Sequence, residues 1–180
     1  AKRNTNTLLT LEADADGIAD GVSEATPIGS IPDETNGMAA ANNETSLICA
    51  RYGTAIFAEI SNVDGELITE YITNLDGEQL ELRHGDMASG CADDNPIEEC
   101  AYQLYYTHEG PGESGYALWE VTLNNDGTAS YNERFENLGG AHIALHPNGT
   151  DLFIVSGSNV RTFDLNTNTV SNDVNIATAG

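Results

Sequence analysis

The sequence predicts an all-β chain built from repeated four-stranded antiparallel sheets, and three observations carry that reading. No window of about 11 residues keeps the 3.6-residue apolar period of an amphipathic helix. Short apolar or alternating runs recur instead, each followed by a turn rich in Asn, Asp and Gly. Many of these runs hold β-branched or aromatic residues, which suit a pleated, half-buried surface.

The runs, in order, are Thr7 to Glu12, Thr26 to Ile31, Ser46 to Arg51, Ala55 to Ser61 and Leu67 to Thr73. Then come Tyr102 to Thr107, Ala117 to Leu123, Ser130 to Phe135, Ala141 to His146, Leu152 to Ser156, Val160 to Leu165 and Val170 to Ile176. Asp64-Gly65, Asp76-Gly77 and Asp126-Gly127 read as tight turns, because Asp and Gly tolerate the positive φ that hairpins need. The last four runs fit four antiparallel strands into fewer than about 40 residues, the length of one propeller blade. On that rhythm, residues 1–180 form a single domain of blade-like units at 1–36 (partial), 37–86, 87–139 and 140–180. The expected fold is therefore β-propeller-like, with about three and a half blades. Closed propellers have about four to eight blades, so the chain reads as part of a larger propeller. A β-sandwich is the alternative, since it too shows short strands at this spacing.

Two segments strengthen the propeller reading. His146-Pro147-Asn148-Gly149-Thr150-Asp151-Leu152-Phe153-Ile154 is similar to the opening of YVTN-type blades, and Asp164-Leu165-Asn166-Thr167 to their turn entry. The chain thus resembles secreted β-propeller repeat proteins with YVTN-, NHL- or kelch-like blades. It departs from them in its uneven unit lengths and in lacking a recurrent double glycine or Trp-Asp dipeptide. The resemblance implies an architecture and no particular reaction.

Charge excludes some partners. There are 29 acidic residues against six basic ones, giving a formal net charge of −23. Nucleic acid phosphates and anionic membrane surfaces would repel such a chain. No stretch approaches the roughly 20 apolar residues that span a bilayer. With 39% apolar residues dispersed between the acids, the composition is that of a solvated surface over a packed core.

Candidate sites follow from local patterns. Glu12, Asp14, Asp16 and Asp20, with Gly17 and Gly21 between and after them, place carboxylates at alternate positions, as calcium-wrapping loops do. The stretch resembles thrombospondin type 3 and EF-hand loops, with Ca2+ as the implied ion, although Ser23 stands at the twelfth place counted from Glu12. Cys91 and Cys100 bracket a polar loop that could close as a disulfide in an oxidising compartment, whereas Cys49 reads as a buried thiol. Asn43 and Asn148 head glycosylation sequons at expected turns. His142 and His146 on one strand would stand about 13 Å apart, too far for one metal ion. His84, His108, His142 and His146 therefore read as structural or surface residues.

No catalytic signature stands out. Gly-x-Ser-x-Gly is absent, and Lys2 is the only lysine, so no phosphate-binding Gly-Lys loop exists. Acid pairs are too numerous for any one to mark a glycosidase. Tyr102, Tyr105, Tyr106, Tyr116 and Trp119 could stack on a glycan, or pack between neighbouring blades. The expectation is an extracellular, secreted or cell-surface module of a surface layer, filament or adhesion chain. It would be non-catalytic and bind protein partners or copies of itself through β edges. The alternative is a secreted calcium-dependent propeller hydrolase acting on a glycan, lactone or phosphate ester.

Overall fold

The computed structural model describes residues 7–10, 26–42, 45–75, 78–91, 102–109, 115–140 and 142–176, and for 7–10, 26–28, 75 and 91 the backbone alone. The strands are β1 (Thr7–Thr10), β2 (Thr26–Ser30), β3 (Thr35–Ala40), β4 (Ser46–Arg51), β5 (Ile56–Ser61) and β6 (Leu67–Leu75). They continue with β7 (Glu78–Gln79), β8 (Met87–Cys91), β9 (Tyr102–Glu109), β10 (Tyr116–Leu123) and β11 (Thr128–Phe135). The last are β12 (His142–Leu145), β13 (Asp151–Ser156), β14 (Asn159–Asp164), β15 (Thr169–Val170) and β16 (Val174–Asn175).

The architecture is all-β and propeller-like. Three antiparallel four-stranded groups succeed one another: β3-β4-β5-β6, β8-β9-β10-β11 and β12-β13-β14-β15, with β16 added along β14. A two-stranded sheet, β1-β2, precedes them. The first two groups are not wholly separate. The last strands β6 and β11 pair in parallel at Thr128–Ile72 and Ala129–Thr73, giving one nine-stranded sheet that nearly closes on itself. The turns at Asp64-Gly65 and Asp126-Gly127 form as the sequence implies, with positive φ at Gly65 and Gly127.

Successive groups stack face to face, and each seam holds a core. Between the first and second groups lie Ile48, Phe57, Met87, Leu104, Tyr106 and Trp119. Between the second and third lie Ala88, Tyr105, Leu118, Leu152, Ile154 and Phe163. Adjacent residues of β9 and β10 thus serve opposite seams, because side chains alternate across a strand. Tyr106 and Trp119 face one way, Tyr105 and Leu118 the other. A middle sheet buried on both faces explains why Leu104 to Tyr106 and Ala117 to Trp119 are unbroken apolar runs. Packing between sheets, rather than display on a surface, is the role of Tyr105, Tyr106 and Trp119. A two-sheet sandwich, the alternative from sequence, would have one such seam.

Aromatic geometry fills the first seam. Phe57 meets Tyr106 edge-on at 5.5 Å, and Trp119 is sandwiched between His108 at 4.1 Å and Tyr131 at 4.0 Å. A smaller cluster on the outer face of the first group holds Cys49 and Ile60 beneath Ile31 and Leu47. Burial pushes the Cys49 thiol up to about 11, so it is inert at neutral pH.

Close backbone approach governs the entry to the second group. A Cβ on Gly85 would fall 1.6 Å from the carbonyl oxygen of Thr107. Gly85→Ala should therefore lose about 1–3 kcal/mol or more through forced backbone displacement. The control Ser130→Ala, at an exposed position, should stay within about 0.5 kcal/mol. Urea denaturation followed by circular dichroism measures both. Equal midpoints for the two variants would refute the close contact.

Candidate active site

A cavity of about 510 Å³ opens between the first and second groups, at the end where β3, β5 and β10 finish and β4 and β9 begin. Ala41, Ile48, Val121 and Leu123 supply its apolar wall, and Asn42, Glu59, Tyr71, Tyr102 and Thr122 its polar groups.

Glu59 is the notable member. It lies in the middle of β5, opposite Ile48 on β4 and Thr69 on β6. It shares the face of Phe57, two residues back, and so points into the seam rather than to solvent. Its residue exposure is only 9%. A carboxylate in such a place requires hydrogen-bond donors. Ser46 Oγ donates to Oε1 at 2.5 Å, and the Tyr71 hydroxyl donates to Oε2 at 2.9 Å.

The tyrosines are tuned by the same surroundings. Burial raises the Tyr71 phenol above its ordinary value, and the hydrogen bond and charge of Glu59 add to the rise. Tyr102 is pushed up to about 12, by burial first, with a Ser89 hydrogen bond opposing and the charges of Glu59 and Tyr71 adding. Its hydroxyl donates to the Ala40 carbonyl oxygen at 2.7 Å, which ties the start of β9 to the end of β3. Both phenols therefore stay protonated at neutral pH. The arrangement offers an acceptor-only carboxylate, hydroxyls, a side-chain amide and apolar walls, suited to holding a small oxygenated ring.

A second polar cluster stands where β8 and β12 begin, at the opposite end of the first strands. Asp86 Oδ1 accepts from the Met87 amide at 2.9 Å, and Oδ2 accepts from the Ile143 amide at 3.3 Å. His142 Nδ1 lies 3.5 Å from Oδ2, on a largely exposed ring. This carboxylate joins the second group to the third. The other histidines have structural partners as well. His84 stacks on Tyr52, and His146 Nδ1 accepts from the Asn148 amide at 3.1 Å. His108 Nε2 donates to the Glu81 carbonyl at 3.2 Å, and burial lowers its basicity.

The residues singled out from sequence fall elsewhere. Glu12, Asp14, Asp16 and Asp20 lie outside the described residues, as do Asn43, Cys100 and the side chain of Cys91. Asn148 sits on an exposed turn, where its Oδ1 accepts from the Thr150 and Asp151 amides and its Nδ2 donates to Asp151 at 2.6 Å. Among the described residues no group of three or more His, Cys, Asp or Glu could hold a metal ion, and no helix is long and apolar enough to cross a membrane. Sequence reasoning missed Glu59. The signal was present: one acid interrupts the apolar run Ile56-Phe57-Ala58-Glu59-Ile60.

No protein-family model matches the chain, and no curated protein does. Solved structures align with it at low identity. Two are each described as a "putative 6-phosphogluconolactonase". The one from Bacteroides fragilis is 15% identical, with a TM-score of 0.46 over 93% of this chain. The one from Bacteroides uniformis is 17% identical, with a TM-score of 0.44 over 96% of it. The chain spans about half the length of these structures, 48% and 49%. The non-catalytic structural or interaction module expected from sequence is corrected here. The seam that a purely structural repeat would close with apolar side chains holds a cavity with the largely buried Glu59 in its wall instead.

The phenol shifts have a pH consequence. Tyr102 and Tyr105 both rise to about 12 in the folded chain, chiefly through burial, against about 10 when unfolded. The unfolded chain then releases these protons first, so their contribution is complete below pH 10 and is lost as pH climbs toward 12. Thermal melts should show stability falling across that window, less steeply in Tyr102→Phe and Tyr105→Phe. Absorbance titration at 295 nm should place both phenols near 12. Ionisation at ordinary values would show the burial to be wrong.

Proposed function

We propose that the protein is a hydrolase acting on a lactone or related cyclic ester, with the Glu59 cavity as its site. The observation that carries this reading is a largely buried carboxylate, held by Ser46 and Tyr71, in the wall of a cavity of about 510 Å³. Of the classes open from sequence, glycoside cleavage calls for two facing carboxyl groups. Among the described residues lining the cavity, Glu59 is the single carboxylate. Ester hydrolysis needs only one general base.

The chemistry would run as follows. Glu59 takes a proton from a water molecule as its oxygen attacks the ring carbonyl carbon, giving a tetrahedral adduct. Collapse of the adduct breaks the ring C–O bond, and the departing alkoxide recovers the proton from Glu59. Asn42 and Thr122 are placed to hydrogen-bond ring substituents. Tyr71 and Ser46 act as positioning residues, fixing the carboxylate rather than touching the reacting atoms.

Glu59→Gln keeps the shape and removes the base. Hydrolysis of D-glucono-1,5-lactone, followed by acid release, should fall by about 10²–10⁴-fold in kcat with little change in KM. Circular dichroism and the melting temperature should remain near those of the parent. A Gln variant with parental kcat would remove Glu59 from the reaction.

A further inference from the structure

We infer that the Glu59 cavity selects an uncharged ring and rejects its phosphorylated form. The inference rests on the lactone reading of this cavity and deepens it by stating the charge of the substrate.

Recognition of a phosphate group ordinarily uses converging Arg or Lys side chains, or backbone amides at a helix N-terminus. Neither is found among the described residues of the cavity. Among the described residues that line the cavity there is no Arg and no Lys, and the strands around it contribute no helix end. The charge that is present has the wrong sign. Glu59 stands in the wall, and its field already helps to raise both neighbouring phenols. Two negative charges on a phosphate monoester would meet that carboxylate in a partly desolvated space, where repulsion is screened less than in water.

None of the four described arginines, Arg51, Arg83, Arg134 and Arg161, lines the cavity. Arg51 pairs with Glu70 at 2.9 Å, Arg134 pairs with Glu120 at 2.8 Å, and Arg161 pairs with Asp173. Arg134 and Arg161 line a separate groove of about 640 Å³ beside Phe135 and Asn137. There Arg134 Nη2 donates to the Leu165 carbonyl and Arg161 Nη1 to that of Leu138, so both guanidinium groups are engaged in joining the second and third groups. Over the whole chain the formal charge of −23 adds long-range repulsion of any anionic substrate. The neutral polar groups Asn42, Thr122 and Tyr102, set against Ile48, Val121 and Leu123, match hydroxyls and ring carbons instead.

The test compares D-glucono-1,5-lactone with its 6-phosphate ester as substrates, and the corresponding inert lactams as ligands in calorimetric titrations. The neutral lactone should show at least a tenfold higher kcat/KM, and the neutral lactam at least a tenfold lower Kd. Thr122→Arg places a cation at an exposed position of the wall and should narrow both ratios by threefold or more. Raising the salt concentration should narrow them in the parent. Equal or better use of the phosphorylated compounds by the parent would overturn the inference while leaving lactone hydrolysis intact, and so would ratios unmoved by Thr122→Arg. Tight binding of the neutral lactam without turnover of either lactone would sink the hydrolase reading and leave the charge selection standing. Binding of neither lactam would overturn both.

Discussion

The structure depends on how closely the first strands of the three groups approach one another. A Cβ on Gly37 of β3 would stand 3.0 Å from Met87 Cγ and 3.1 Å from its amide nitrogen on β8. One on Gly90 of β8 would meet Leu145 of β12 at 2.6 Å. Ala39 and Ala88 complete the same inner layer. Strands that converge this tightly have no room for branched side chains, and small residues become a steric requirement. Away from that inner layer larger groups fill the seams: Tyr106, Trp119 and Tyr131 in one, Phe135 and Phe163 in the next. Small residues where the first strands meet and aromatic residues beyond them pack the stack, and in the first seam the pairing of β6 with β11 closes the far side as well.

That gradient also explains which strands were legible in the sequence. β4, β5, β9, β10, β13 and β14 carry β-branched or aromatic residues and were apparent from their runs, with ends matching to within two residues. β3 and β8 were not picked out. Thr35-Asn36-Gly37-Met38-Ala39-Ala40 and Met87-Ala88-Ser89-Gly90-Cys91 have neither alternation nor β propensity. Their strand state comes from tertiary contact, such as Ser89 Oγ donating to the Ala40 carbonyl across the two strands. The parallel pairing of β6 with β11 was equally hidden, since two residue pairs leave no trace in composition.

The candidate site was less legible than the fold. Glu59 is visible as an acid within an apolar run, but in a chain with 29 acids one more draws no notice. What distinguishes it is the company it keeps. Ser46 lies 13 residues away, and Tyr102 comes from a different group altogether. Asp86 and His142 show the same limit, since they meet only where β8 and β12 begin side by side. Spacing rules read local chemistry well, as with the Asx turns at Asp126 and Asp164, whose Oδ1 atoms accept from amides two residues on. They cannot see a cavity whose walls come from five strands.

Burying Glu59 runs against the packing logic of the seam around it. Phe57, on the same strand and the same face, is nearly wholly enclosed, and an apolar residue at 59 would extend that core toward Val121. A buried ionised carboxylate persists only with donors on its oxygens, and here two separate strands supply them, Ser46 from β4 and Tyr71 from β6. Hydroxyl donors from both neighbours of β5 hold the group in one orientation, facing the open end of the seam. A chain that needed this interface only for rigidity would gain by filling the space with aliphatic side chains. Retention of both the charge and the void, at the end of the seam, is what the proposed role of Glu59 as a preorganised base would require.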